Sequence, residues 1–404
     1  MTLVRPTPPA FPWADPFFSF GVTGTNGKTS TVHLIGAALA AAGHLALQIS
    51  TVEYLLGGED LGLPHTRNGF FDAFTAANEA GAQWASVEVT SHALADSYAK
   101  RWRFDLGVFT NLSPDHLSTH GSYEAYLAAK AQLFIHLGPG RTAVLNAADE
   151  HAMFIDQAIP PDVNRCWFAS PTRGPLLREA DLEVERIDVD AHGTRVTLKP
   201  SALADALGGA LQTRMVGAVF AENALAAAAA GVRAGLDPDA VARGIASCPP
   251  VAGRFEVLGS DPVVVVDYAH TPDALERTCA QARALARGRL LVVFGAGGGA
   301  SPDKRNAMGA AVGAHADQVW VTNDNPRDED PQQIADALVA GLDGTAASVA
   351  VVLDRAAAIE AAMDEAGPGD VVVVAGKGHE QGQTAQGQTV PFCDRDEILR
   401  WVSG

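Results

Sequence analysis

The run Gly24-Thr25-Asn26-Gly27-Lys28-Thr29-Ser30 places two glycines, a lysine and hydroxyl groups where a phosphate could be held. Glycines let backbone N–H groups converge on phosphate oxygens, Lys28 has the reach for β- and γ-phosphates, and Thr29 offers an oxygen to Mg²⁺. A helix starting at Lys28 would add favourable partial charge at its N-terminus. The plain form of this pattern has Gly six residues before the lysine, where this chain has Val22. A structural glycine-rich turn is the bland alternative, and from the loop alone a GTPase or a transport ATPase stays open. The strand-like FSFGVTG before it and the helical pattern from Lys28 to Ala42 after it favour the nucleotide, ATP, with Mg²⁺.

Other elements must place further groups beside this loop. WASVEVTS (84–91) and FDLGVFTNL (104–112) are apolar runs ending in polar residues, and TAVLNAAD (142–149) is a third. Such runs suit buried parallel strands that carry functional groups at their C-terminal ends. Tyr123 to His136 reads as a helix, and LEVERIDVDAHGTRVTLKP alternates about Gly193 like an antiparallel hairpin. After Pro249-Pro250, VVVVDYAH, RLLVVFGAGGG, QVWVTNDNP, SVAVVLD and DVVVVAGKGHE are further strands with helices between them. The expected fold is α/β: a central P-loop ATPase domain with a parallel sheet, then a Rossmann-like α/β domain. The boundaries read as an irregular arm over 1–17, a central ATP-binding domain over 18–250 and a C-terminal amino-acid-binding domain over 251–404.

The chain has 404 residues, is 47% hydrophobic and carries a net charge of −18. Its isoelectric point is about 5.0. That balance argues against a general nucleic-acid binder, whose footprint is basic, but permits a locally positive site. Cys166, Cys248, Cys279 and Cys393 form no C-x-x-C pair, which points to buried or incidental thiols in a reducing compartment. The Pro-rich start, interrupted by Asp15, lacks the apolar run of a signal peptide, and no stretch approaches the ~18 apolar residues of a membrane span. A cytoplasmic location without membrane partners follows as an expectation.

Downstream motifs give the loop a context. VEVTSHAL, FTNLSPDHL, YLAAKAQLF, LNAADE, GRFE, DYAHTPDALE, DNPRDEDP and GKGHE occur in this order. With TGTNGKTST they resemble, over residues 18–404, the Mur ligase family, and within it the subgroup that adds diaminopimelate to a UDP-linked muramoyl dipeptide. The resemblance implies an ATP-dependent carboxylate–amine ligase working through an acyl phosphate. It implies that Glu88 shares an Mg²⁺ with Thr29, that His116 holds a second Mg²⁺, and that Lys130 is a carbamylated lysine that helps to bind metal. By the same resemblance the loop residues Gly24, Thr25, Asn26, Gly27, Lys28, Thr29 and Ser30, with Asn146, Asp149 and Asn223, hold the nucleotide. Arg254, Asp267, Tyr268 and His270 resemble nucleotide contacts from the C-terminal domain. Phe220 stands where the family usually has a further Asn.

For the amine, Asp324-Asn325-Pro326-Arg327 resembles the signature of the diaminopimelate-adding subgroup. Arg327 would pair a distal carboxylate with its guanidinium fork. Arg305, Gly376 and Glu380 match further pocket positions, and Glu380 would accept from a distal ammonium. The bland alternative for DNPR is an Asn-Pro turn.

The acyl side departs from the family. Only about 20 residues precede the loop, too few for a UDP-gripping domain with a core of its own. Thr66 alone aligns within LGLPHTRNGFFDAF, Thr90 replaces a Ser, and Tyr98 stands where an Arg commonly contacts the substrate. The expected acyl substrate is not UDP-anchored but a small-molecule carboxylate, a peptide or a carrier-linked acid, with Thr66 and Thr90 as contacts and Arg67 or Arg101 as candidate cations. Three alternatives remain: a tripeptide ligase whose UDP-binding domain is a separate chain, a non-catalytic binding homologue, and a polymerising ligase of the folylpolyglutamate type. Intact Lys28, Thr29, Glu88, His116 and Lys130 argue against the second, and the DNPR pocket against the third.

Overall fold

In the computed structural model of the protein the apolar run ahead of the phosphate loop is the buried strand β1 (Phe18–Thr23). The structure describes residues 16–113, 121–190 and 192–403. They divide into two compact units, one drawn mainly from residues up to Pro249 and the other mainly from Pro250 onward.

In the first unit β1 lies between two parallel neighbours, β5 (Trp84–Glu88) and β6 (Leu106–Phe109). β6 continues in parallel to β7 (Thr142–Asn146), and β7 to the strand Asn164–Ala169. On the other side β5 pairs with β2 (Ala46–Ile49), which turns antiparallel into β3 (Tyr54–Leu56) and then β4 (Glu59–Asp60). At the far edge Gly193–Leu198 and Ala210–Thr213 are antiparallel. Among the described residues, eleven strands form this one sheet. The central strands are largely buried because both faces are covered. Parallel strands all leave the sheet on one side, so Thr23, Glu88, Thr110-Asn111 and Asn146 converge at one carboxyl edge, where open α/β sheets bind ligands. Helix Lys28–Ala41 starts at that edge. The alanine-rich helix Ala218–Arg233 is buried along most of its length, its small side chains allowing close packing.

One core cluster of this unit is aromatic. Phe74 meets Trp102 edge-on at 4.9 Å, and Trp102 stacks on Phe104 at 4.5 Å. Such pairs contribute about 0.5–1.5 kcal/mol each beyond their burial.

The second unit has a six-stranded sheet among the described residues. Its parallel part runs in the order Val263–Asp267, Val371–Ala375, Leu290–Phe294, Gln318–Val321, Ser348–Val351. Glu256–Ser260 adds an antiparallel edge. Leu291, Val293, Val372 and Val374 pack with Ile359 and Trp320 in one core. The carboxyl ends of Val263–Asp267, Gln318–Val321 and Val371–Ala375 lead into Asp267-Tyr268, Asn323-Asp324 and Gly376-Lys377. A separate hairpin, Gly382–Ala385 with Gln388–Pro391, follows. The α/β expectation holds in both units. The strand Asn164–Ala169, this hairpin and the helix Asp394–Ser403 were not anticipated individually.

Candidate active site

The loop of the first unit is shaped by the strand ends around it. Gly27 caps the helix Lys28–Ala41 in the left-handed region (φ 83°) and supplies no side-chain cap. The first-turn N–H groups therefore point at the loop without a competing side chain, which is what an anion needs. A Cβ on Gly27 would lie 2.3 Å from Asn223 Oδ1, and one on Gly24 would lie 1.9 Å from Thr110 Oγ1. Only glycine permits this close wrapping. The loop is held from β6: Asn26 N–H donates to Asn111 Oδ1 (3.0 Å), and Asn111 Nδ2 returns a bond to Asn26 O (3.0 Å). Asn111 Nδ2 also donates to Glu222 (3.2 Å) on the alanine-rich helix. Thr25 Oγ1 accepts from Ser113 N–H (3.0 Å) and shares a hydrogen bond with the Tyr126 hydroxyl (3.1 Å).

Lys28 Nζ donates to Thr25 O (2.9 Å) and stands 3.7 Å from Glu88 Oε1. Glu88 Oε2 accepts from Thr29 Oγ1 (2.8 Å), Thr51 N–H (3.2 Å) and Thr51 Oγ1 (3.3 Å). Two oxygen ligands and a lysine thus meet at the mouth of the loop. That donor set suits a hard cation shared with a phosphate, so the residues present fit both ATP and Mg²⁺. Among the described residues no three His, Cys, Asp or Glu side chains converge on one point. Mg²⁺ does not require it, since it keeps water and phosphate oxygens. His116 lies outside the described residues.

Lys130 is 1% exposed. Its ammonium donates to Gly24 O (2.6 Å) and sits 4.6 Å above the Tyr126 ring. Helix Tyr123–Ile135 thus delivers a buried lysine to the loop's own backbone, where a solvated surface role is ruled out. Asn146 and Asp149 are braces. Asn146 Nδ2 donates to Thr110 O (2.8 Å), and Asp149 accepts from Leu112 N–H (2.9 Å) while capping the helix Glu150–Ala158. Phe220 is buried.

In the second unit Asp267 accepts from Phe255 N–H (2.6 Å), Ala269 N–H (2.9 Å) and Thr278 Oγ1 (2.9 Å). Enclosure by protein raises its pKa above the ordinary carboxylate range, against these three bonds and nearby Arg254, which lower it. The Arg254 guanidinium lies 4.7 Å over the Tyr268 ring, and its buried Nε has no hydrogen-bond partner. Tyr268 also packs edge-on against His270 at 4.7 Å. The four residues expected to act together here are neighbours.

The DNPR and GKGHE motifs also meet. Glu380 Oε2 accepts from Asn325 Nδ2 (2.8 Å) and from Lys377 Nζ (3.0 Å). Lys377, fully buried, also donates to Asn325 Oδ1 (3.1 Å) and lies 3.6 Å from Asp324 Oδ1. A Cβ on Gly376 (φ 118°) would lie 2.6 Å from Asp324 Oδ2, so glycine keeps this carboxylate uncrowded. Burial raises the pKa of Asp324, opposed by Arg355 and Lys377. Arg305 is 4% exposed, donates to Glu329 (2.8 Å) and leaves its buried Nε without a partner. Arg327 adopts the left-handed region (φ 56°), with its guanidinium approaching Gly299. DNPR is therefore more than an Asn-Pro turn. Lys377 and Thr51 were missed: a lysine inside Gly-Lys-Gly and a threonine in a short loop carry no local signal of a partner.

The residues expected at the acyl substrate each have a local partner within the fold. Thr66 and Thr90 are N-caps, accepting from Gly69 N–H and Ala93 N–H. Tyr98 is enclosed by Phe70, Trp102 and Phe104. Arg67 lies 5.8 Å over Phe71.

Family models match two stretches of the chain: the Mur ligase middle domain over residues 22–231, and the Mur ligase glutamate ligase domain over residues 253–378. A relative from Solibacter usitatus, named UDP-N-acetylmuramoyl-L-alanyl-D-glutamate--2,6-diaminopimelate ligase, is 41% identical over 93% of this chain and 75% of its own length. One of the same name from Aquifex aeolicus is 36% identical over 95% and 77%. A solved structure of that name aligns with a TM-score of 0.66 at 32% identity, covering 96% of this chain and 78% of its own. E. coli FolC in complex with DHPP and ADP shares the fold, with a TM-score of 0.72 at 20% identity over 97% and 90%.

Proposed function

Because the chain belongs to the Mur ligase family, and so is an ATP-dependent ligase, we propose that it joins a diaminopimelate-like amine to a substrate carboxylate through an acyl phosphate. The observation that carries the amine assignment is the meeting of Asp324, Asn325, Lys377 and Glu380, with the unpartnered Nε of Arg305 in the same unit. Carboxylates for an ammonium and guanidinium groups for carboxylates are what a diamino-dicarboxylate requires.

In the first step a carboxylate oxygen attacks the γ-phosphorus of ATP, the bond to the β-phosphate oxygen breaks, and ADP leaves. In the second step the amine nitrogen attacks the acyl carbon. The tetrahedral intermediate expels phosphate, the nitrogen loses its proton to solvent, and an amide remains. First-turn N–H groups and Lys28 hold the phosphates and offset charge on the moving phosphoryl group. Thr29 Oγ1 and Glu88 would hold Mg²⁺, which when bound neutralises phosphate charge. Lys130, buried against Gly24 O, is the residue whose carbamylation would turn a cation into a metal-binding anion.

On the acyl side two readings are separable. Tyr98, packed among aromatics, offers no cation, which favours a carboxylate not gripped in the manner of UDP-linked substrates. The names of the relatives favour UDP-N-acetylmuramoyl-L-alanyl-D-glutamate. A phosphate-release screen with diaminopimelate and ATP decides between them. Efficient turnover of that UDP-linked dipeptide removes the first reading; turnover of small D-glutamyl peptides in its place removes the second. Silence with every diamino acid tested would end the amine assignment.

A further inference from the structure

Arg355 opens the helix Arg355–Glu365 and has a side chain with no exposed surface. Its Nε and Nη2 donate to the two oxygens of Asp394 (2.6 and 2.7 Å), the first residue of the helix Asp394–Ser403. The remaining donors go elsewhere. Nη2 also reaches Ala375 O (3.0 Å), and Nη1 reaches Asn323 O (3.1 Å). Ala375 ends the strand that leads into Gly376-Lys377, and Asn323 immediately precedes Asp324-Asn325. Those two strands are not sheet neighbours, because Leu290–Phe294 runs between them. The sheet's hydrogen bonds reach Thr322, whose N–H donates to Phe294 O, and Gly376, whose N–H donates to Asp267 O, but they do not join the two exits to each other. The guanidinium does so directly, through Ala375 O and Asn323 O.

A buried ion pair is weak evidence of stabilisation, because desolvation offsets most of the attraction, and an apolar pair of similar volume often serves as well. What an apolar pair cannot do is hold two carbonyls in register. We propose that Arg355, held by Asp394, is a positioning residue of the amine site, fixing the Asp324-Asn325 segment against the Gly376–Glu380 segment. Arg355 is also the foremost of the charges that oppose burial of the Asp324 carboxylate, so it acts on the pocket electrostatically as well. Displacement of binding groups by about 1 Å is enough to cost orders of magnitude in a positioned site.

This inference rests on the amine-site reading, and its test separates the two. Calorimetric binding of diaminopimelate and of ATP is measured for the full chain, for Arg355→Lys, for the double variant Arg355→Met/Asp394→Leu, and for Glu380→Gln. The double variant removes both charges together and keeps the interior filled; Arg355→Lys keeps the charge but loses the fork, and decides the matter if the double variant fails to fold. We expect diaminopimelate affinity to fall at least about tenfold in the double variant and about threefold in Arg355→Lys, with ATP affinity unchanged. A merely structural role would lower the melting temperature and leave the amine affinity of the folded protein where it was. Wild-type diaminopimelate affinity in the Arg355 variants, alongside a weakened Glu380→Gln, overturns the inference alone. Wild-type affinity in Glu380→Gln, or no binding by the unaltered chain, overturns the amine-site reading and this inference with it.

Discussion

At the scale of single residues, charge and reach assign the parts. Lys28 is held by Thr25 O and faces Glu88, so its ammonium is preset at the mouth of the loop. Removing it should lower ATP-dependent phosphate release by at least about 10²–10³-fold, the usual cost of a preorganised charge-stabilising donor. Near-normal release by Lys28→Ala would refute the assigned role. Arg327→Ala should raise the apparent KM for diaminopimelate by about tenfold or more, the loss of one charge-assisted pair, with kcat far less affected. An unchanged KM would remove Arg327 from the amine site. Lys130→Ala should be inactive and should regain activity with added short-chain carboxylates, if the residue works as a carbamate. Full activity without any additive would exclude that role.

At the scale of elements, the strand–loop–helix unit works because its glycines lie where no side chain fits. Gly27→Ala meets two penalties: about 1–2 kcal/mol for an L-residue in the left-handed region, and a collision with Asn223 Oδ1. Gly43 has the same backbone sign (φ 82°) with nothing within 4 Å of its would-be Cβ. Gly43→Ala should therefore lose only the backbone share of stability in denaturant titrations and Gly27→Ala at least that much, but only Gly27→Ala should lose ATP affinity, by about tenfold or more. Equal ATP binding by the two would mean that the loop tolerates a side chain and does not wrap a phosphate closely. The helix ends follow the same logic, since Thr66, Thr90 and Asp149 cap helices with the groups expected at ligands.

At the scale of the whole molecule, burial governs the thiols. It pushes Cys166 up to about 11 and Cys248 up to about 12, and Cys279 higher still. The thiolate is the reactive form, so these cysteines should resist iodoacetamide at pH 8 in the native protein and react after unfolding. Between roughly pH 9 and 11 the unfolded chain releases thiol protons that the folded chain keeps, so stability falls as pH rises through that window. A melting temperature that rises from pH 9 to 10.5 would contradict this. Among the described residues no helix is long and apolar enough to cross a membrane.

Local pattern alone made the α/β class, the phosphate loop and the order of motifs legible. Strand periodicity, glycine placement and a lysine after glycine are short-range properties, and apolar runs that end in polar residues announce a ligand edge before any contact is known. Which polar residues actually face one another was decided by tertiary structure. Lys130 reads as a surface helix residue until the sheet brings Gly24 O to it, and Lys377 has no meaning until Asn325, some fifty positions away, closes on it. Arg355 and Asp394 sit in unremarkable helix starts and meet only because two helices pack over the same sheet face. Thr66, Thr90 and Asp149 show the converse, since a side-chain oxygen suited to a substrate is equally suited to a helix N–H two or three residues on. Long-range pairing costs chain entropy that only the packed core repays, so the identity of each partner is a property of the fold and not of the segment.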